Sequence, residues 1–504
     1  VTSGRLVILS CFLALIAVPL AFRRDRVMLP RDAEQLIIIT PHNELIRTEF
    51  AAAFSRWHEA NFGTPVAVQW NVPGGTTEIR KMLQAQYSAA LEAGRAPGGN
   101  ADLMFGGGAF EFDLLKRPIE MHIDGRTRST TVLEPVDFSD DWLGATYGPN
   151  EIGDGKLYDA EKFWFGAALS SFGIVYNRDV LADLGIDEPQ HWEDLCNPRF
   201  RGWIALVNPA QSGSITSAFE AILKRHGWTR GWQILRRVAA NARYFTGSSL
   251  KPPADVATGN AAAGICIDFL GRYQSGAIAQ STGSDRIGYI DPQGETTIDS
   301  DPIAMLRGAP HPQLARRFIE FILSREGQAL WQFRASPGNT IGPRQFELRR
   351  LPILRSIYDS DLAHFVDRVN PYEVAERMPH DTRAMRPFIA IVFAAMAMDS
   401  HRELRDAWSA IVEHPAYPRD GRLVTAADVD DPPLKAMLER FDRMPAAPGP
   451  DGGELSMKTD EHLAKIRDAM SDETLWPPNA NPRDVLRLQF GEFFADHYRQ
   501  IGSD

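Results

Sequence analysis

The chain has 504 residues, 44% hydrophobic and 24% charged, an ordinary globular balance that excludes a mostly disordered or low-complexity protein. Its length predicts about three domains, or two large lobes and an appendage, and a core of that size needs neither disulfide nor metal to hold it. With 54 Lys+Arg against 65 Asp+Glu the formal net charge is −11, and no long basic run offsets it, so a nucleic-acid partner is not expected.

Residues 6–22, LVILSCFLALIAVPLAF, carry no charge. The run is short for a spanning helix and slightly long for the apolar part of a signal peptide. Arg5 before it suits export, Arg23, Arg24 and Arg26 follow it, and no A-x-A site closes it. The expectation is a signal or anchor segment over 1–30, uncleaved or poorly cleaved, with the body in the periplasm or otherwise outside the cytoplasm, tethered to the inner membrane.

Residues 35–40 (QLIIIT) form a continuous apolar run, the pattern of a strand covered on both faces. A helix should follow, with Ile46, Phe50, Phe54 and Trp57 on one stripe, and then a strand over 66–70. The Gly74-Gly75 turn and Thr76-Thr77-Glu78 open a further helix to about 91, and a third strand, 102–105, runs into Gly106-Gly107-Gly108. This β-α-β-α-β order predicts a parallel sheet with helices on its faces. The order repeats with strands over 164–170, 174–177, 203–207, 264–268, 287–290 and 302–306. Helices are expected over 192–195, 215–225, 228–241, 312–324 and 325–333. The remainder reads as helical (382–412, 463–470 and 485–498), with 445–453 (PAAPGPDGG) as a flexible connector.

The usual signals of three enzyme classes are missing: the phosphate-cradling G-x-x-x-x-G-K-[ST], the H-E-x-x-H pair and the G-x-S-x-G elbow. Gly106-Gly107-Gly108 does not extend to a dinucleotide fingerprint. Cys11, Cys196 and Cys266 are too few for a disulfide framework and too scattered for zinc; a Cys196–Cys266 bridge is compatible with the sequence but not implied by it. No catalytic residue, metal ligand or cofactor site is therefore expected. What recurs is a strand ending in small residues that open a helix: Gly75-Thr76, Gly107-Gly108 and Ser212-Gly213-Ser214. The first N–H groups of such a helix have no internal partner and its dipole is positive, which suits a carboxylate or phosphate. His42, just past the first strand, belongs to the same rim. Asp268 reads either as a rim ligand or as a helix N-cap, and Tyr273 either as reaching the cleft or as packing in the core.

These segments resemble a known family. TPHNELIRTEFAAAF (40–54), GGTTEI (74–79), ADLMFGGG (101–108), SSFGIVYN (170–177), WEDLCNPRFRGWIALVNPAQSGS (192–214) and GAPHPQLARRFIEFILSREGQAL (308–330) are similar to extracellular solute-binding proteins of ABC importers, of the ferric-iron, thiamine and polyamine branch. The resemblance covers roughly 37–343 and implies a two-lobed α/β periplasmic-binding-protein fold of type II, hinged by crossover strands, with the helical C-terminal extension outside it. The implied division is lobe 1 over 33–165 with 296–343, lobe 2 over 166–295 and the extension over 344–504. It also implies a non-enzymatic, monomeric receptor that closes on a small-molecule or ion ligand and meets an ABC permease. Ser171 falls in one matching segment, and Ser212-Gly213-Ser214 matches the family's anion-holding turn. Ferric members carry adjacent tyrosines after the strand that ends here at Asp268, whereas this sequence has only Tyr273 there, and Arg272 suits an anionic solute. The expected ligand is thus a small polar anion bearing phosphate, phosphonate or carboxylate, or a ferric complex; a membrane-anchored sensor using the same cleft is the alternative.

Overall fold

A computed structural model describes residues 33–501 apart from Asp124, Arg422 and Asn479. The expected anchor over 1–30 lies outside the described residues. Two mixed α/β sheets form two lobes. In the first, the strand order is Leu351–Pro352, Phe165–Ser170, Asp299–Leu306, Leu103–Phe105, Glu34–Ile39, Val66–Asn71, with Leu133–Glu134 pairing beside Asp299–Leu306. In the second it is Ala242–Thr246, Ile204–Val207, Ala263–Ile267, Phe172–Asn177, Ile287–Ile290.

The neighbours Leu103–Phe105, Glu34–Ile39 and Val66–Asn71 are parallel, as are Ala242–Thr246, Ile204–Val207 and Ala263–Ile267. In each lobe, therefore, three successive strands deliver their carboxyl ends, and the loops that leave them, to one edge. The strands Phe165–Ser170 and Phe172–Asn177 are buried along their whole length, yet they belong to different sheets, so the chain crosses between lobes at Ser171. It returns over 291–298, between Ile287–Ile290 and Asp299–Leu306.

Local chemistry explains the elements that frame the lobes. Helix Glu44–Phe62 starts where the Asn43 side chain accepts the Ile46 N–H and stops at Gly63, whose φ of 80° is left-handed. It buries Ile46, Phe50 and Phe54, three turns of one stripe. Helix Gly213–Ala240 is two helical segments joined at a kink, the break expected at Gly227, whose φ is 74° and ψ 174°.

The extension is helical for the most part. Arg386–Phe393, the wider turn Ala394–Met398, His401–Glu413, Pro432–Phe441 and Pro482–Ile501 pack against Gly213–Ala240 or against one another. Arg237, fully buried, holds the junction: its guanidinium donates to Val424 O at 2.7 Å and pairs with Asp442 at 2.7 Å. Trp408 Nε1 donates to Asn241 Oδ1 at 3.0 Å. The stretch expected as a flexible connector is instead a ribbon, Ala446–Pro448 paired with Glu454–Ser456; its Pro and Gly residues build the turn, closed by Gly449 N–H donating to Gly453 O at 2.7 Å. Cys196 and Cys266 are buried free thiols, so no bridge joins them.

Candidate functional site

The loops at the two carboxyl edges face each other across a cleft of ≈1210 Å³. On the first lobe its wall is built from Pro41-His42-Asn43, Gly74-Gly75-Thr76 and Gly107-Gly108; on the second, from Gln211-Ser212-Gly213-Ser214 and Gly247-Ser248-Ser249-Leu250. The glycines are dictated by crowding. Gly107 has φ 139°, and a methyl there would meet Thr76 Cγ2 at 2.2 Å. Gly75 has ordinary backbone angles, but a methyl on it would meet Gln211 O, from the opposite lobe, at 2.6 Å. The walls nearly touch at that point.

Helix Gly213–Ala240 enters the cleft by its N-terminus. Ser212 caps it, with Oγ accepting from Ile215 N–H at 3.4 Å and lying 2.9 Å from Ser249 Oγ. Thr216 N–H goes to Ser212 O, so among the described residues the N–H groups of Gly213 and Ser214 are left without an acceptor. Facing them from the first lobe is Glu111, which accepts from Thr77 Oγ1 at 2.9 Å and pairs with Arg80. The helix Thr76–Glu92 is partly self-capped, since Gly75 N–H donates to Glu78 Oε2 at 3.0 Å. Open N–H donors thus lie beside a fixed carboxylate acceptor, a combination that suits a solute with both an anionic group and hydroxyls.

The cleft floor is a buried ionic cluster. Asp301 Oδ2 lies 2.9 Å from His42 Nε2 and 2.9 Å from Arg350 Nη1, while Oδ1 accepts the Gly107 N–H at 2.5 Å. Arg350 also donates to Ser170 Oγ at 2.8 Å and lies over the Phe269 ring. Burial alone would raise the Asp301 carboxyl, but Arg350 and then His42 outweigh it and hold it at about 2. Burial holds His42 below the ordinary histidine value, against the pull of Asp301.

Eight residues singled out from the sequence line this one cleft: His42, Gly75, Thr76, Gly107, Gly108, Ser212, Gly213 and Ser214. Three do not. Ser171 sits in the crossover, its Oγ donating to Asp291 Oδ1 at 2.6 Å. Asp268 is neither on the rim nor a cap: it is the first helical residue of Asp268–Thr282, its side chain caps nothing, and its backbone N–H bonds Ser171 O at 3.0 Å. Its carboxylate is fully buried without a hydrogen-bond donor, with Arg272 Nη1 at 3.7 Å. Burial raises it to about 7 against Arg272, and Asp291 adds to the rise. Arg272, in turn, is buried and committed to Asp291 rather than open to a solute. Tyr273, half-buried one residue further on, is not a lining residue either.

Sequence reasoning missed Asp301, Arg350, Glu111, Phe110, Ser217, Glu220 and Arg386, which also line the cleft. Asp301-Pro302 at a strand irregularity was a usable signal. Arg350 and Arg386 come from beyond the recognised segments and carried none.

The two sheets facing each other across a cleft have the two-lobed architecture of type II periplasmic binding proteins. Residues 126–345 match the model of the bacterial extracellular solute-binding protein family, the class read from the sequence. Phosphoglycerate transport regulatory protein PgtC of Salmonella typhimurium is 22% identical over 275 residues, 50% of this chain and 66% of that protein, so the match spans just under two thirds of the relative's length. An uncharacterised protein of Haemophilus influenzae is 29% identical over 163 residues, 32% of this chain and 45% of its own. Among solved structures, the periplasmic binding protein AfuA from Actinobacillus pleuropneumoniae, with exogenous fructose-6-phosphate bound, superposes with a TM-score of 0.51 at 17% identity, covering 74% of this chain and 97% of that one.

Proposed function

We propose that this chain is the solute-binding component of an ABC import system and that it holds a small phosphate- or carboxylate-bearing solute between its lobes. In this reading it is exported, tethered by its N-terminal segment, monomeric and without catalysis. The expected division, 33–165 with 296–343 against 166–295, is kept in this reading except that lobe one runs on to Ser170 and resumes at Asp299, because Phe165–Ser170 pairs with Asp299–Leu306 in the first sheet. The observation that carries the reading is the open helix N-terminus at Gly213-Ser214, which lines the ≈1210 Å³ cleft together with the Gly75-Thr76 turn of the other lobe. An anion there replaces its hydration with fixed N–H donors, and lobe closure around it is the state a permease reads. The names of the relatives, a phosphoglycerate transport protein and a fructose-6-phosphate complex, support a phosphorylated organic solute over a bare ion.

The test is a thermal-shift titration of the protein with inorganic phosphate, 3-phosphoglycerate, fructose 6-phosphate and ferric citrate. A ligand at one hundred times its Kd stabilises by about 2.7 kcal/mol. A melting point unmoved by all four removes the reading. The PgtC relative is named as a regulator of transport, which favours a second reading, a sensor that uses the same cleft to signal to a protein partner. Loss of solute uptake on deleting the gene supports import; intact uptake with lost induction supports sensing.

A further inference from the structure

The cleft has a third wall, and it comes from the extension. At 378–380 the chain passes from lobe one to lobe two: Met378 N–H donates to Asp154 Oδ2 at 3.0 Å, and two residues later His380 N–H donates to Lys224 O at 3.1 Å. Thr382 Oγ1 then donates to Glu220 Oε1 at 2.6 Å. Arg386, only 8% exposed, pairs with Glu220, donates to Ser217 Oγ at 3.0 Å, and places its guanidinium 4.6 Å from the centre of the Phe110 ring on lobe one. Arg386, Ser217, Glu220 and Phe110 all line the cleft, and Arg386 lies beyond the segment, 126–345, that matches the family.

Ser217 and Glu220 lie four and seven residues into the helix whose N-terminus is at Gly213. At about 1.5 Å per residue they stand roughly 6 and 10 Å along the wall from the open N–H groups. The two ends differ in chemistry. The N-terminus offers bare donors. The Arg386–Glu220 pair offers a donor and an acceptor beside an aromatic face, with Lys224 one turn further along the helix, a set that can hydrogen-bond hydroxyl groups. The cleft, at ≈1210 Å³, is also larger than the roughly 300–1,000 Å³ common for small-ligand pockets.

Resting on the anionic-solute reading above, we propose that the extension sets the length and class of the ligand: an anionic head at Gly213-Ser214 and a polyhydroxylated body reaching Arg386, Glu220 and Phe110, as in a sugar phosphate of five or six carbons. Arg386 is then a specificity-determining residue.

Isothermal titration of the full protein with inorganic phosphate, 3-phosphoglycerate and fructose 6-phosphate tests this. The expected order of affinity is fructose 6-phosphate, then 3-phosphoglycerate, then phosphate. Arg386→Gln is expected to weaken fructose 6-phosphate by about tenfold or more and to leave phosphate unchanged. Phe110, 37% exposed, is removed without opening the core, so Phe110→Ala carries the test if Arg386→Gln fails to fold; it too should weaken only the sugar phosphate. Equal losses for phosphate and fructose 6-phosphate, no loss for either variant, or a preference for 3-phosphoglycerate overturns the proposal while leaving the anion site standing. Failure of all three probes to bind the unaltered protein overturns both.

Discussion

Asp268 offers the sharpest test of the energetics at the hinge. Its carboxylate is fully buried, receives no hydrogen bond, and lies 3.7 Å from Arg272, whose other nitrogen is already committed to Asp291. The carboxylate therefore ionises in the fold against a desolvation cost that Arg272 and, more weakly, Arg350 do not offset. Burial carries its pKa from 3.8 to about 7. Between those values the folded state keeps a proton that the unfolded state gives up, so stability falls as pH rises from about 4 to about 7 and stays low above it. The full rise corresponds to at most about 4 kcal/mol.

Replacing the carboxylate by a neutral isostere, Asp268→Asn, removes that dependence. The attraction of Arg272 already keeps the pKa from rising beyond about 7, so the gain above pH 8 is at most about 4 kcal/mol. The difference shrinks as pH falls and vanishes below about pH 4, where folded and unfolded wild type both hold the proton. Urea denaturation of both proteins at pH 5, 7 and 9 measures this directly. A variant less stable than wild type at pH 9, or a stability difference that does not change with pH, refutes the reasoning.

Gly75→Ala should leave the melting point within about 1 °C, because the new methyl meets Gln211 O of the opposite lobe and not its own core, yet it should weaken ligand binding by about tenfold by wedging the lobes apart; calorimetry and titration on one sample separate the two effects. Asp301→Asn should cost about 3–5 kcal/mol, since it leaves buried Arg350 without its counter-charge, as read by urea denaturation at pH 7. Asp301 itself, held at about 2, stabilises the fold above pH 4, and this contribution fades as pH falls towards 2; acid titration of wild type against the variant shows the gap closing. Arg237→Met should lose about 3 kcal/mol by removing the nearest cation from Asp442, which keeps only Gln233 Nε2 at 3.1 Å and Arg236 Nη1 at 3.9 Å, and limited proteolysis should then release fragments from residue 400 onward.

Much of the two-lobed body was legible because its signals are local. QLIIIT reads as a covered strand, and Gly63 and Gly227 stop or break helices whatever packs around them. The small-residue turns at Gly75, Gly107 and Ser212 mark strand ends in the same way, and parallel pairing then gathers them on one edge. Asp268 shows where this inference fails: a carboxylate after a strand looks like a rim ligand, and only the position of Arg272 one turn on, with Asp291 from the returning crossover, turns it inward. The strand Ala242–Thr246 was missed because its burial alternates weakly, and Arg350 and Arg386 were missed because their roles depend on contacts 308 and 166 residues away in sequence.

The extension adds a third passage of chain between lobes that already share two, and its place decides whether the cleft can still open. A tie far from the hinge would lock the halves together; one beside the hinge axis moves little when they rotate. The passage at 378–380 follows Glu376, whose carbonyl lies against Gly153 and whose carboxylate lies against Gly294 in the returning crossover. Its bond to Asp154 is exposed and worth about 1 kcal/mol, whereas the attachment to lobe two runs through buried Arg236, Arg237 and Trp408. The helices from Arg386 onward are therefore fastened chiefly to lobe two, and the expected consequence of lobe opening is that Arg386 separates from Phe110. If the proposed ligand bridges the first lobe and Arg386, it fixes the position of the extension as well as its own, and a spectroscopic label on the outer face of the helices then reports occupancy of the cleft.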